Sequence, residues 1–576
     1  MFFVVLLLFV AACGGDAAKG NAADIGENGD YETADTGDSG YYDNSDAEYD
    51  PGYDGGYDNS DTGAPYEPGD PSDTGYEDWE NTDSEVYEGD TDTEEPGEEP
   101  QPGDLIENDW VETAEENTST FSIDVDTASY TQIRNYLMNY NYMPPKNIVR
   151  IEEMVNYFDY DYPKPEEGRP FSVTMEMTDS PWRSDTKLVM FGLQGKNLDA
   201  DERPSNNLVF LVDVSGSMSS SNKLPLLKKA FKKLVEKLDE NDKISIVTYA
   251  SGVSVVLDSV SGDKKDEINA AMDSLVASGA TSGGDGLQKA YAIAEKNYSS
   301  DANNRIILAT DGDFNVGMTS TAELVSYIET ERNKGIFLTI LGFGIGNYQD
   351  DKMEQLSNAG NGNYFYVDSE KEAEKIFTFD LMGTMFTIAK DVKLQVVFNP
   401  AKIAKYRLVG YENRVMNNQD FNDDTKDAGE IGAGHRVTAF YEVFLTEKPA
   451  ETPETETEPA DGGEPAEGEP AAEPETEFGE DDFLVLKMRY KEPDEDISKY
   501  MDTVMTSANI LAEMSQNMGF ASAVAEFGML LRDSKFKADS SYDSVLNRAQ
   551  ANIGEDKFGY RGEFLEMVER AKSLDK

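Results

Sequence analysis

Residues 205–385 alternate short apolar runs with amphipathic stretches. The runs at 208–214, 244–249, 306–308, 337–341 and 364–367 are apolar at most positions, which predicts strands buried on both faces. A further strand is expected at 254–257. Between these runs, Leu224, Leu227, Phe231, Leu234, Val235 and Leu238 recur at helical spacing. Further helices are expected before 276, from 287, over 322–333 and over 350–359. Buried strands joined by helical crossovers predict an α/β fold with a doubly wound, mostly parallel sheet. Lys228, Lys229, Lys232, Lys233 and Lys237 fall on the polar side of the 224–238 helix, a pattern expected of a solvated face more than of a docking patch.

The pattern changes on either side of this region. Residues 118–204 mix strand-like pieces (121–124, 171–177, 187–193) with a helix-like piece at 148–158, predicting an N-terminal α+β flank. Residues 386–576 predict a second flank, with strands at 392–398, 437–444 and 483–490 and a helical tail from about 497. Val524, Phe527, Leu530 and Leu531 form the core stripe of that tail. Residues 14–117 and 447–482 have little to bury and are expected to be disordered, the first as a tether and the second as an insertion in the C-terminal flank.

Charge sharpens this division. The net charge is -65, and the two low-complexity stretches carry about 48 of those charges, so the folded parts are only mildly acidic. The basic footprint that nucleic acid would need is missing. The chain has one Cys, Cys13, and one His, His435. A zinc site of Cys and His ligands cannot be built from these within one chain, and no catalytic base stands near the motifs below, so an enzyme is not expected. Residues 2–10 form an apolar run too short to span a bilayer. Val10-Ala11-Ala12-Cys13, which follows it, resembles a bacterial lipobox. The expectation is a signal peptide over 1–13, lipidation at Cys13, and an extracytoplasmic protein anchored to the cell membrane or outer membrane. No Lys or Arg precedes the apolar run, which points to a start further upstream.

The candidate chemistry lies where apolar runs end. Asp213-Val214-Ser215-Gly216-Ser217 follows the first buried run and supplies one carboxylate and two hydroxyls at alternate positions. Gly216 is expected to let the backbone turn so that the hydroxyls converge. The Gly-rich segment 279–286 can carry Thr281 to the same point, and Asp311 ends the run at 306–308 beside Asp213. In a doubly wound sheet ligands bind at the carboxyl ends of strands. The donors are all hard oxygens, which suits Mg²⁺, or Mn²⁺, more than Ca²⁺. Ser282, Asp285 and Asp313 are nearby candidates for supporting roles. Asp124 and Asp126, in a strand-like context, are expected at the surface more than in a second cation site.

Asp213, Ser215, Ser217, Thr281 and Asp311 in this order resemble the metal-ion-dependent adhesion site of von Willebrand factor A (VWA) domains. Residues 121–130, 149–158 and 523–532 are similar to the flanks of the YfbK-like family of VWA lipoproteins, over about 118–446 and 483–570. The resemblance implies a VWA domain over 205–385 that holds a divalent metal with one coordination position open. An acidic side chain of a protein partner would fill that position. The alternative is an envelope assembly or scaffold protein in which the metal is mainly structural.

Overall fold

The computed structural model describes residues 106–198, 203–280, 285–312, 320–344, 350–380, 383, 386–446, 476–493 and 495–575. The expected signal peptide, lipidated Cys13 and most of the acidic tether and insertion lie outside them. Residues 106–117, expected as the end of the tether, are instead folded: Val111 and Glu112 pair as a strand with Tyr406 and Lys405, and Thr113 is buried.

The central sheet comprises β5 (Ser205–Asp213), β6 (Lys243–Tyr249), β7 (Val253–Ser261), β8 (Ala302–Thr310), β9 (Ile336–Phe343) and β10 (Tyr364–Val367). Its order is β10-β9-β8-β5-β6-β7, parallel throughout except for β7, which runs antiparallel on the edge. Alternation along β5 sends side chains to both faces. Leu208, Phe210 and Val212 pack under α3 (Leu224–Lys237), α4 (Lys265–Asp273) and α8 (Glu370–Lys375). Val209 and Leu211 pack under α5 (Gly286–Lys296), α6 (Thr321–Arg332) and α7 (Asp350–Ala359). This is the doubly wound sheet that the apolar runs predicted.

The lysines of α3 face away from this core and pair locally. Lys228 donates to the carbonyls of Asp273 and Leu275, Lys232 pairs with Asp273, and Lys229 with Glu370.

The flanks are separated in the chain by the central domain but interleave in space. Before the central sheet come β1 (Val111–Glu112), β2 (Thr118–Ser122), α1 (Ala128–Arg134), α2 (Ile151–Asn156), β3 (Phe171–Asp179) and β4 (Lys187–Gly195). After it come β11 (Thr387–Phe398), β12 (Ile403–Val409), β13 (Val415–Met416), β14 (Gly429–Gly432), β15 (Arg436–Leu445), β16 (Asp482–Lys491) and β17 (Lys499–Thr506). One antiparallel sheet has the order β1-β12-β15-β4-β3 and the other β13-β2-β11-β16-β17, so each draws strands from both flanks. They share a core of Phe121, Phe191, Leu394, Tyr441 and Leu486. Three final helices, Gln516–Leu531, Tyr542–Ala551 and Tyr560–Leu574, join α1 and α2 over Leu188, Met190 and Phe440. The helical tail therefore begins after β17, later than its sequence suggested.

Candidate metal centre

β5 ends at Asp213 and β8 at Thr310, and the two strands run side by side with Val212 opposite Ala309. Register therefore carries Asp213 and Asp311 to neighbouring strand ends. The strand order also reverses at β5, with β6 on one side and β8 on the other, so this edge is the switch point where such sheets open a crevice.

Asp213 and Ser215 are buried, whereas Ser217 is exposed. The Ser215 N–H donates to Asp213 Oδ1 at 2.8 Å. The Ser215 and Ser217 hydroxyls lie 2.9 Å apart, so the alternate spacing does bring them together. Ser215 is extended and a tight turn, Gly216–Ser219, follows it. Gly216 serves here through close approach: its N–H donates to the Gly279 carbonyl at 3.0 Å, and a Cβ would sit 3.3 Å from that oxygen. The Ser278 N–H donates to the Val214 carbonyl at 2.7 Å, fastening the irregular segment leading to 280 onto the motif. Gly279 has φ +86°, and a Cβ there would lie 2.5 Å from Ser251 Oγ, so glycine is required on both counts. Thr281, Ser282 and Asp313 lie outside the described residues. Asp285 is exposed at the start of α5.

Asp311 is half-buried as a residue but its side chain is only 3% exposed, and its Oδ2 accepts from Lys223 Nζ at 2.8 Å. Sequence reasoning missed this lysine. Asp213 Oδ2 and Asp311 Oδ1 are buried and accept no hydrogen bond in good geometry among the described residues, although the Tyr249 hydroxyl lies beside the Asp213 carboxylate. Burial pushes the Asp213 carboxyl above its usual range, against the Ser215 N–H that donates to it, and the Asp311 charge adds to the push. Buried, unsatisfied carboxylate oxygens are costly, and a cation would satisfy both. Two carboxylates and two hydroxyls form a hard oxygen set suited to a small divalent ion. The residues present therefore fit the metal that the motif implies.

A second acidic cluster differs in kind. Asp124 and Asp126, expected at the surface, are buried. Carboxylate oxygens of Asp124, Glu153 and Glu354 lie within 4.8 Å of one another, but guanidinium groups already serve them. Arg414 Nη2 pairs with Asp124 at 3.2 Å, Asp126 at 3.3 Å and Glu354 at 3.2 Å. Arg150 Nη1 pairs with Glu153 at 3.2 Å and also with Glu354. The strand pattern hid this cluster because its cations come from distant segments. His435 sits between β14 and β15, where burial and the Lys375 charge lower its pKa to about 4 and leave it neutral.

A doubly wound sheet with Asp-x-Ser-x-Ser leaving its central strand defines a von Willebrand factor A-type protein, and residues 207–379 match the von Willebrand factor type A domain family. Residues 383–574 match the family described as the C-terminal region of the uncharacterized protein YfbK, and residues 100–190 a family described as von Willebrand factor. Uncharacterized protein YfbK of Escherichia coli (strain K12) is 38% identical over 470 residues, covering 80% of this chain and 79% of that protein. The chain belongs to the YfbK family of VWA-domain proteins. Human inter-alpha-trypsin inhibitor heavy chain H3 is 26% identical over 177 residues, covering 29% of this chain and 20% of that protein. Among solved structures, the von Willebrand factor type A protein from Catenulispora acidiphila aligns at a TM-score of 0.38 and 16% identity, covering 70% of this chain and 91% of that one.

Proposed function

We propose that this chain is a non-catalytic binding protein whose metal centre captures an acidic side chain of a protein partner. The observation that carries the reading is the pair of buried oxygens that accept no well-formed hydrogen bond among the described residues, Asp213 Oδ2 and Asp311 Oδ1, beside the paired hydroxyls of Ser215 and Ser217. Asp213, Ser215, Ser217 and Asp311 would hold Mg²⁺ or Mn²⁺, with Thr281 as the fifth residue of the motif. A divalent ion held mainly by hydroxyls stays electron-poor and supplies a Lewis-acidic position for an incoming carboxylate. The chain's own part is positional: strand register sets the two carboxylates, and the hydrogen bonds at Gly216 and Ser278 fix the loop between them. The chemistry of a hydrolase finds little support, since His435, the one histidine of the sequence, lies between β14 and β15 in the flank and not at the ends of β5 and β8.

Lipidation at Cys13 would hold the protein at the envelope. No helix among the described residues is long and apolar enough to cross a membrane. The test is retention of envelope proteins on the immobilised chain. Partners retained in Mg²⁺, released by chelator and lost with Asp213→Ala support the reading, whereas retention indifferent to both contradicts it. The interleaved flanks favour a second reading, a scaffold whose metal is structural. In that case chelation lowers the melting temperature while Asp213→Ala still retains its partners.

A further inference from the structure

We propose that Lys223 is a resident counter-cation of the metal centre, balancing Asp311 in the unloaded site and making metal loading reverse the sign of the site's charge. The inference rests on the metal-centre reading above and concerns how that site selects its partner.

Lys223 immediately precedes α3, at the end of the loop that begins with the Asp213 motif. Its side chain is 18% exposed while its partner Asp311 is 3% exposed, and Nζ donates to Oδ2 at 2.8 Å. The stem runs past Gly344, just after β9. Gly344 has φ +83°, and a Cβ there would lie 2.3 Å from Lys223 Cε. The backbone facing the lysine therefore carries no side chain where the stem must pass. Its ammonium engages Oδ2 and leaves Oδ1, the unpartnered oxygen, for another cation.

Charge counting gives the consequence. Two carboxylates alone are doubly negative, and a divalent ion would only neutralise them. With the ammonium present, the unloaded site carries one net negative charge and the loaded site one net positive charge. A partner's carboxylate is then repelled before loading and attracted after it. That local reversal matters on folded parts that are themselves mildly acidic and so give an acidic partner no general attraction. The same ammonium repels the incoming metal, so selectivity comes with weaker metal binding.

The test is calorimetric titration of Mg²⁺ into the full chain and into Lys223→Met and Lys223→Arg. Each is measured against the same protein carrying Asp213→Ala, which subtracts diffuse binding by the acidic segments. Lys223→Met is expected to bind Mg²⁺ on the order of tenfold more tightly, and Lys223→Arg, which keeps the charge, to stay near the parent. With Mn²⁺ in the site, acetate should lower the metal's water-proton relaxation at lower concentration in the parent than in Lys223→Met. Unchanged or weaker Mg²⁺ affinity in Lys223→Met, with parent binding intact, overturns the proposal and leaves the metal centre standing. Equal tightening in Lys223→Arg overturns it too, since the effect is then steric. Asp213-dependent binding seen in Lys223→Met alone supports it, whereas none in either protein overturns both readings.

Discussion

Asp213 and Asp311 reach neighbouring positions because two parallel strands end in register, and each keeps one buried oxygen that accepts no well-formed hydrogen bond among the described residues. The sequence made this pair legible, since the Asp-x-Ser-x-Ser spacing and a second Asp after a buried run leave few other arrangements. Lys223 was not legible: its partner lies 88 positions further on, and a lysine before a helix normally reads as solvated. Asp124 and Asp126 were misread for the same reason, because Arg414 and Glu354 arrive from remote segments. Gly344 supplies a test at this scale. Its left-handed backbone and its closeness to Lys223 predict that Gly344→Ala destabilises the protein by about 1–3 kcal/mol in urea denaturation. A variant as stable as the parent would show that the lysine stem can move aside freely.

Within elements, the apolar runs located the five parallel strands of the central sheet, because a strand buried on both faces has no polar alternation to confuse it, whereas β7, half-exposed on the edge, was expected only over 254–257 of Val253–Ser261. Helices were legible where a stripe was continuous, as in α3. They were missed where buried polar residues broke the stripe: α1 buries Ser129 and Thr131 among its apolar positions. β17 was read as helix because its half-exposed, mixed sequence KYMDTVMT carries neither periodicity clearly. Phe231 of α3 is buried edge-on against Phe210 at 4.6 Å between ring centroids. Phe231→Ala should therefore cost about 3–5 kcal/mol by loss of burial and creation of a cavity, measured as a lower urea midpoint at unchanged slope. A loss below about 1 kcal/mol would mean that the helix repacks over the gap.

Across the whole molecule, buried ion pairs fasten the flanks to the central domain. Arg134 of α1 reaches Asp368 at 2.6 Å and Glu372 at 2.7 Å beyond β10, and Glu563 of the last helix at 2.8 Å. Removing that guanidinium strands buried carboxylates, so Arg134→Met should destabilise by about 3–5 kcal/mol, seen as a lower melting temperature. The clasp around Asp124 also gives a pH dependence. Burial, then the Asp124 charge, raises Asp126 to about 7, and burial, then the Glu412 charge, raises Glu152 to about 8. Both acids hold their protons more tightly folded than unfolded. Their contribution is complete below the unfolded values of 3.8 and 4.5 and is lost as pH rises through about 7 and 8. The melting temperature should therefore fall between pH 5 and pH 8, a window set by those values, and Asp126→Asn should flatten the fall. A slope unchanged by that substitution would place the titration elsewhere.

The central claim is that Asp213 and its neighbours hold a divalent ion. Calorimetric titration of Mg²⁺ and Mn²⁺ into the full chain, beside its Asp213→Ala variant, tests it most directly. The account predicts about one ion per chain bound above the diffuse background, absent in the variant. Identical isotherms for the two proteins would contradict it.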